Sequence, residues 1–119
     1  MKSTDNNNKV GVEHTPPVLK ITTHFDLWEF LFQSGPQKKS FNKYTKPEAF
    51  FDLMKRQRWA ILTQDNDFLE GSVLSLSKAW GWDRTTVMNF IKKLSDLQVI
   101  TTSKANGKHI FRLNHISLE

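Results

Sequence analysis

Between Ser75 and Leu113 the chain carries helix-starting and helix-stopping signals at spacings that admit two helices and a hairpin, and little else. Ser75 is a good N-cap, and Gly81 suits the end of a short helix. Leu76, Ala79 and Trp80 are expected on that helix's buried side. Asp83 is placed to cap a second helix. Arg84–Leu97 contains neither Gly nor Pro, and Val87, Phe90, Ile91, Leu94 and Leu97 recur at helical spacing as one apolar stripe. Val99–Ser103 is short and β-branched. The turn Lys104–Lys108 holds Asn106-Gly107, the strongest short hairpin signal, because both central residues of that turn need positive φ. His109–Leu113 then alternates, with Ile110, Phe111 and Leu113 as its apolar members.

A helix-turn-helix at 75–97 followed directly by a hairpin at 99–113 is a winged helix. The expected fold class is therefore α+β: a winged helix-turn-helix, mostly helical, with a C-terminal β-hairpin wing. The face of the second helix opposite its stripe is left with Arg84, Thr85, Met88, Asn89, Lys92, Lys93 and Ser95. It has no acid before Asp96, whereas a solvated helix more often alternates signs. Guanidinium, hydroxyl, amide and ammonium groups are suited to base edges and phosphates.

Charge is distributed to match. The net formal charge is +5, and the sequence pI is about 9.6. From Ser75 to Leu113 there are Lys78, Arg84, Lys92, Lys93, Lys104, Lys108 and Arg112 against Asp83 and Asp96, so this segment accounts for the whole +5. A basic balance favours anionic partners such as nucleic acid. We expect double-stranded DNA as the partner. Arg84, Thr85, Met88 and Asn89 are the candidate base contacts. Lys78, Thr86, Lys92, Lys93, Lys104 and Lys108 are the candidate phosphate contacts, with Thr86 expected to sit partly buried.

The stretch Gly71–Ile100, GSVLSLSKAWGWDRTTVMNFIKKLSDLQVI, resembles the winged-helix domain of phage and mobile-element replication initiators, the DnaD-like replisome organisers. The family's Leu-Ser-Leu-like lead corresponds to Leu74–Leu76, its Trp-Gly-Trp turn to Ser77–Asp83, and its Arg-X-Thr-Val helix with a Phe-Leu-X-X-Leu core to Arg84–Leu94. The upstream stretch Tyr44–Ala60 resembles the helix that precedes this motif, so the resemblance spans roughly Tyr44–Leu113. Asp83 stands where the family has a Ser cap, and Met88 where a basic residue is common. The resemblance implies a bacterial or mobile-element DNA-binding protein acting in replication initiation or transcriptional regulation. It also implies that Trp80 and Trp82 pack the helix pair into the core.

The rest of the chain is read as support. Met1–Pro17 is polar and Asn-rich, and is expected to be a disordered tail ahead of a single domain over 18–118. Val18–Thr23 suggests a short strand or arm, and Phe25–Phe32 a helix with Phe25, Trp28 and Phe32 at i, i+3 and i+7. Ser34–Lys46 reads as a loop. Thr45–Ala60 has a helix start at Thr45, Pro47 and Glu48. Phe50, Phe51, Leu53, Met54 and Trp59 are expected on its buried side, and Lys55, Arg56 and Arg58 in its last turns, complementing the dipole. Ile61–Val73 is expected to be a polar connection, with Phe68–Val73 leading extended into the next helix. The chain ends at Glu119, soon after the hairpin, as a small free-standing regulator or a piece of a longer protein would.

Several classes are excluded or disfavoured. There is no Cys, so disulfides and thiolate zinc sites are ruled out. No run approaches the roughly 20 apolar residues of a membrane span, and the N-terminus lacks a secretory h-region, so a cytoplasmic protein is expected. Asp65-Asn66-Asp67 does not follow a calcium-loop pattern. His14, His24, His109 and His115 are scattered, without metal spacing. No nucleophile motif, phosphate loop or cofactor fingerprint is present, so no enzyme and no cofactor is expected. The rival expectation is a winged-helix protein-interaction module or dimeric adaptor without DNA binding. Its seam, which would join two copies of the chain in the dimeric form, would run through Phe25, Trp28 and Phe32.

Overall fold

In chain order the elements are β1 (Leu19–Ile21), α1 (Phe25–Leu31), α2 (Lys46–Gln64), α3 (Val73–Trp80), α4 (Arg84–Asp96), β2 (Ile100–Ala105), β3 (Lys108–Leu113) and β4 (Ile116–Leu118). The computed structural model describes residues 18–33, 43–64, 67–69 and 71–119. The expected N-terminal tail, the loop over 34–42 and the Asp65-Asn66 pair lie outside the described residues. Among the described residues the fold is α+β, four helices with two antiparallel strand pairs.

The corner between α3 and α4 forms where the residue types ask for it. Gly81 adopts left-handed φ of 71°, and its N–H reaches the Ser77 carbonyl. The Ser77 hydroxyl donates to the Trp82 carbonyl and closes the turn. Asp83 then caps α4 by accepting the Thr86 N–H at 2.8 Å. The start of α3 lies earlier than expected. Ser72, not Ser75, is the N-cap: its hydroxyl accepts the Ser75 N–H, and Ser75 Oγ accepts the Ser72 N–H. Both serines belong to one capping box, so Ser75 acts as its third helical residue. Ala79 is exposed rather than buried, because Leu76 and Trp80, at i and i+4, carry the inner face.

Helix α2 is longer and rotated relative to expectation. Nothing in Glu48–Gln64 breaks a helix, so Ile61–Gln64 continue it instead of opening a polar connection. Its inner row is Phe50, Leu53, Gln57 and Ala60, at i, i+3, i+7 and i+10. Phe51 and Trp59 lie off that row and are exposed, and Met54 is only half-buried. Lys55, Arg56 and Arg58 are consequently mid-helix, and the last turn of α2 holds no basic residue.

Helix α4 buries Val87, Phe90, Ile91 and Leu94, as its stripe predicts, with Leu97 half-buried at the C-cap. These side chains meet Leu27 and Leu31 of α1, Phe50 and Leu53 of α2, Leu76 and Trp80 of α3, and Ile100, Phe111 and Leu113 of the hairpin in one cluster. Each fully buried apolar side chain of this size contributes on the order of 1.5–3 kcal/mol. Trp80 is fully buried, with its indole N–H on the Asp52 carboxylate at 2.8 Å. Trp82 is half-buried and donates to the Tyr44 carbonyl at 2.9 Å. Edge-on ring contacts join Trp80, Trp82 and Phe90.

The hairpin turns through Asn106 and Gly107, both at positive φ (53° and 78°), as a two-residue primed turn requires. Its register pairs Ile100 with Leu113, Thr102 with Phe111 and Lys104 with His109. Beyond Ile100 every residue of β2 is exposed, so the hairpin stands out from the body. On the free edge of β3 the Leu69 N–H reaches the Phe111 carbonyl at 2.9 Å, one bridge from the extended stretch expected ahead of α3. Two residues on, the same edge is met by a side chain: Gln57 Oε1 accepts the Leu113 N–H at 2.8 Å. A second strand pair, β1 with β4, was not foreseen from the sequence and holds the two ends of the described chain together. It brings His24 and His115 edge to face at 6.1 Å.

Candidate nucleic-acid interface

The residues singled out on α4 are all exposed: Arg84, Thr85, Thr86, Met88, Asn89, Lys92 and Lys93. Thr86 is therefore not partly buried, because the buried stripe passes through Val87 and Phe90 and leaves Thr86 outside it. A helix of period 3.6 places Thr85, Asn89 and Lys92 opposite the stripe. Met88 and Ser95 fall on one flank, and Thr86 and Lys93 on the other.

The Met88 flank faces the hairpin. A cavity of about 270 Å³ lies between them, lined by Met88, Asn89, Ile91, Lys92, Ser95, Thr102, His109 and Phe111. Its polar groups are an amide, an ammonium, two hydroxyls and an imidazole, with no carboxylate. The hairpin register explains why Thr102 and His109 are here. Ile100, Thr102 and Lys104 share a strand face with His109, Phe111 and Leu113, and that face is anchored to the core by Ile100, Phe111 and Leu113. Lys104 continues it outward beside His109. Lys108 falls on the opposite face with Arg112, so the two tip lysines point to different sides of the hairpin.

The other flank faces α1. Lys93 Nζ lies 5.9 Å from the Phe30 ring centre, and Lys46 Nζ 4.8 Å from the same ring. The structure thus brings Asn89, Met88 and Lys92 together with the hairpin and puts Thr86 and Lys93 on the far side of α4. Lys78 is exposed on α3. Thr102 and His109 line the site and were missed, and Ser95, expected on the outer face of α4 but not among the candidate contacts, lines it too. The strand alternation running from buried Phe111 and Ile100 was the signal that marks His109 and Thr102.

Four acids temper the surface: Asp26 and Glu29 of α1, which line one cavity with Lys93, and Asp83 and Asp96 at the two ends of α4. The Thr86 backbone N–H and hydroxyl hold the Asp83 carboxyl below its ordinary pKa, with Lys43 adding to the effect, so Asp83 stays ionised beside Arg84. Asp96 lies 3.4 Å from Lys92 Nζ, four residues along the helix and well exposed. Such a pair contributes only about 0.3–0.5 kcal/mol and is readily exchanged for another anion. Among the described residues no three His, Asp or Glu side chains are grouped to hold a metal ion. No described helix is long and apolar enough to cross a membrane. Comparison with protein-family models, with curated proteins and with solved structures finds no match to this chain.

Proposed function

We propose that this chain is a sequence-specific double-stranded DNA-binding protein of the winged-helix kind, with α4 in the major groove and the hairpin as a wing on the backbone. The observation that carries the reading is the run of amide, hydroxyl, ammonium and imidazole groups from the outer face of α4 across the carboxylate-free cavity to Thr102, Lys104 and His109. At 13 residues α4 is about 20 Å long, and an α-helix fits the roughly 12 Å width of the major groove. Arg84, Thr85, Met88 and Asn89 meet base edges. Lys92 and Lys104 take phosphates on the hairpin side, and Thr86 and Lys93 take phosphates on the α1 side. Lys78 and Lys108 extend these contacts. The natural setting is replication initiation or transcriptional regulation at a bacterial or mobile-element locus, in the cytoplasm.

The test is fluorescence anisotropy on a random-sequence duplex across a salt series. Binding that weakens steeply with salt, and is lost on joint substitution of Lys92, Lys93, Lys104 and Lys108 by Ala, is the expected result. A folded protein that fails to bind at low salt refutes the reading.

The rival module without DNA binding calls for an apolar patch on α4, yet Met88, 36% exposed, is its only exposed large apolar side chain. A second copy docked through α1 is compatible with DNA binding and is favoured by Phe25 and Phe32, which are 74% and 55% exposed. Trp28 stands between them, with its indole N–H on Thr23. Light scattering of the parent and of Phe25→Ser/Phe32→Ser tests this seam. A parent that is monomeric at all concentrations removes it.

A further inference from the structure

We propose that the outer face of α2 is a second DNA site that takes single-stranded DNA by base stacking. This rests on the duplex-binding reading above for the choice of DNA as the polymer. Phe51, Lys55, Arg58 and Leu62 follow one another at i, i+4, i+7 and i+11, with Trp59 beside them. All are turned away from the inner row of Phe50, Leu53, Gln57 and Ala60. Phe51 is 57% exposed and Trp59 48%. An apolar ring left this open on a helix with a well-filled inner face has no packing role to account for it. The cations are not accounted for either. They lie mid-helix, so they do not complement the dipole at its end. Lys55 has only the Phe51 ring beneath it, at 5.3 Å, and neither Lys55 nor Arg58 has an ion-pair partner among the described residues. Arg56, by contrast, is held by Asp52 at 2.8 Å.

Two open rings about 12 Å apart along the axis, with free cations on the same face, match what an unpaired strand offers. Its bases present π-faces, and its phosphates run alongside. A duplex offers only base edges in its grooves, so this face does not suit one. A protein interface is depleted of lysine at its centre, whereas here Lys55 stands over the Phe51 ring. A membrane-surface helix needs a continuous apolar face, and Leu62 is half-buried while Lys55 and Arg58 interrupt the row. Both α2 and α4 turn their inner faces to one core, so their outer faces do not meet. The molecule can hold duplex on one side and an opened strand on the other.

The test uses the full chain with labelled oligo-thymidine and with a duplex, in parallel anisotropy titrations. Phe51→Ala/Trp59→Ala is expected to weaken oligo-thymidine binding roughly ten-fold or more, and to leave duplex binding and the thermal midpoint unchanged. Trp59→Phe, which keeps a ring, is expected to recover most of that loss. Lys92→Ala/Lys104→Ala is expected to weaken the duplex and spare oligo-thymidine. A parent that does not bind oligo-thymidine at low salt overturns the proposal, as does a Phe51→Ala/Trp59→Ala variant that binds it like the parent. So does a dimer that dissociates on Trp59→Ala in a chain that ignores oligo-thymidine, which assigns the face to protein contact. Stacking-dependent oligo-thymidine binding without duplex binding leaves the α2 site standing and removes the duplex reading alone.

Discussion

Gln57 is the only buried polar or charged side chain among the described residues, and both ends of its amide are used. Nε2 donates to the Asp67 carbonyl and Oε1 accepts the Leu113 N–H, each at 2.8 Å. The amide thus takes the place of a strand partner on the edge of β3, just past the Leu69 bridge. Gln57→Leu keeps the volume and removes both bonds. The Leu113 N–H, on a residue 1% exposed, is then left without a partner, at a cost of about 1–3 kcal/mol. Asp67 is exposed, so its carbonyl turns to water and adds little. A net loss of about 2 kcal/mol corresponds to a fall of roughly 10 °C in the thermal midpoint of a domain of this size. Urea unfolding should show a lower midpoint at unchanged slope, and the Leu113 amide should exchange faster. Gln57→Glu separates the two bonds. The carboxylate still accepts from Leu113 but opposes the Asp67 carbonyl, and burial and that carbonyl raise its pKa above the unfolded value of about 4.3. Stability is then greatest below that value and is lost as pH rises through the folded pKa. A Gln57→Leu protein as stable as its parent would refute the reasoning.

The remaining predictions concern the interface and its supports. Asn89→Ala should cost about 1–3 kcal/mol on the cognate duplex and nothing on random sequence, in anisotropy titrations of both. Lys104→Ala should lower affinity on every duplex and reduce the salt slope by about 1, and do so more than Lys108→Ala, because only Lys104 shares the α4 side of the hairpin. Asp83→Asn keeps a capping side chain and removes a negative charge beside Arg84, so duplex binding should strengthen, most at low salt. The folded pKa of Asp83 is depressed, so its stabilisation is complete above the unfolded value of about 3.9 and is lost as pH falls through the folded one; thermal midpoints of Asp83→Asn should be flatter across that range. Gly107→Ala should cost about 1 kcal/mol in urea unfolding for its positive φ alone, because an added Cβ meets nothing within 4 Å.

What the sequence made legible was local chemistry. Gly81, Asp83 and Asn106-Gly107 each specify a backbone conformation by themselves, and the α4 stripe is unambiguous because polar residues separate its members. Helix α2 is different. Phe50, Phe51, Leu53, Met54 and Trp59 cover more of the helix than one face, so periodicity alone does not say which of them point inward. The answer came from Gln57 and Ala60, a polar and a small residue that carry little hydrophobic signal. Ser72, Ser75 and Ser77 are equally good caps by type, and only the reciprocal bonds of Ser72 and Ser75 decide between them. Strand β4 is three residues long and forms because β1, far away in sequence, offers it an edge. The site followed the same division. The exposed face of α4 was legible from one helix, while the placement of Thr102 and His109 beside it depends on which face of the hairpin the core selects.

The positive surface is produced as much by where the acids go as by where the lysines are. Asp52 is spent on Arg56 and on the Trp80 indole. Glu48 closes the start of α2 with Thr45. Glu119 pairs with Lys20 across the β1–β4 end of the molecule. Asp83 is turned toward the Thr86 N–H as a cap. Each of these carboxylates serves a helix start, a buried indole or a chain terminus, and none lies in the cavity between α4 and the hairpin. Asp26 and Glu29 share a cavity with Lys93 on the α1 side, and Asp96 is the one described acid ion-paired with a lysine of α4, through an exposed pair that contributes little. The same aromatic cluster that seats α4, Trp80 and Trp82 against Phe90, also draws Asp52 inward through the Trp80 N–H. Packing and electrostatics are therefore coupled at this point. Loss of the Trp80 indole would loosen α4 and at the same time leave the Asp52 carboxylate with Arg56 as its remaining partner, on the helix whose outer face carries Lys55 and Arg58.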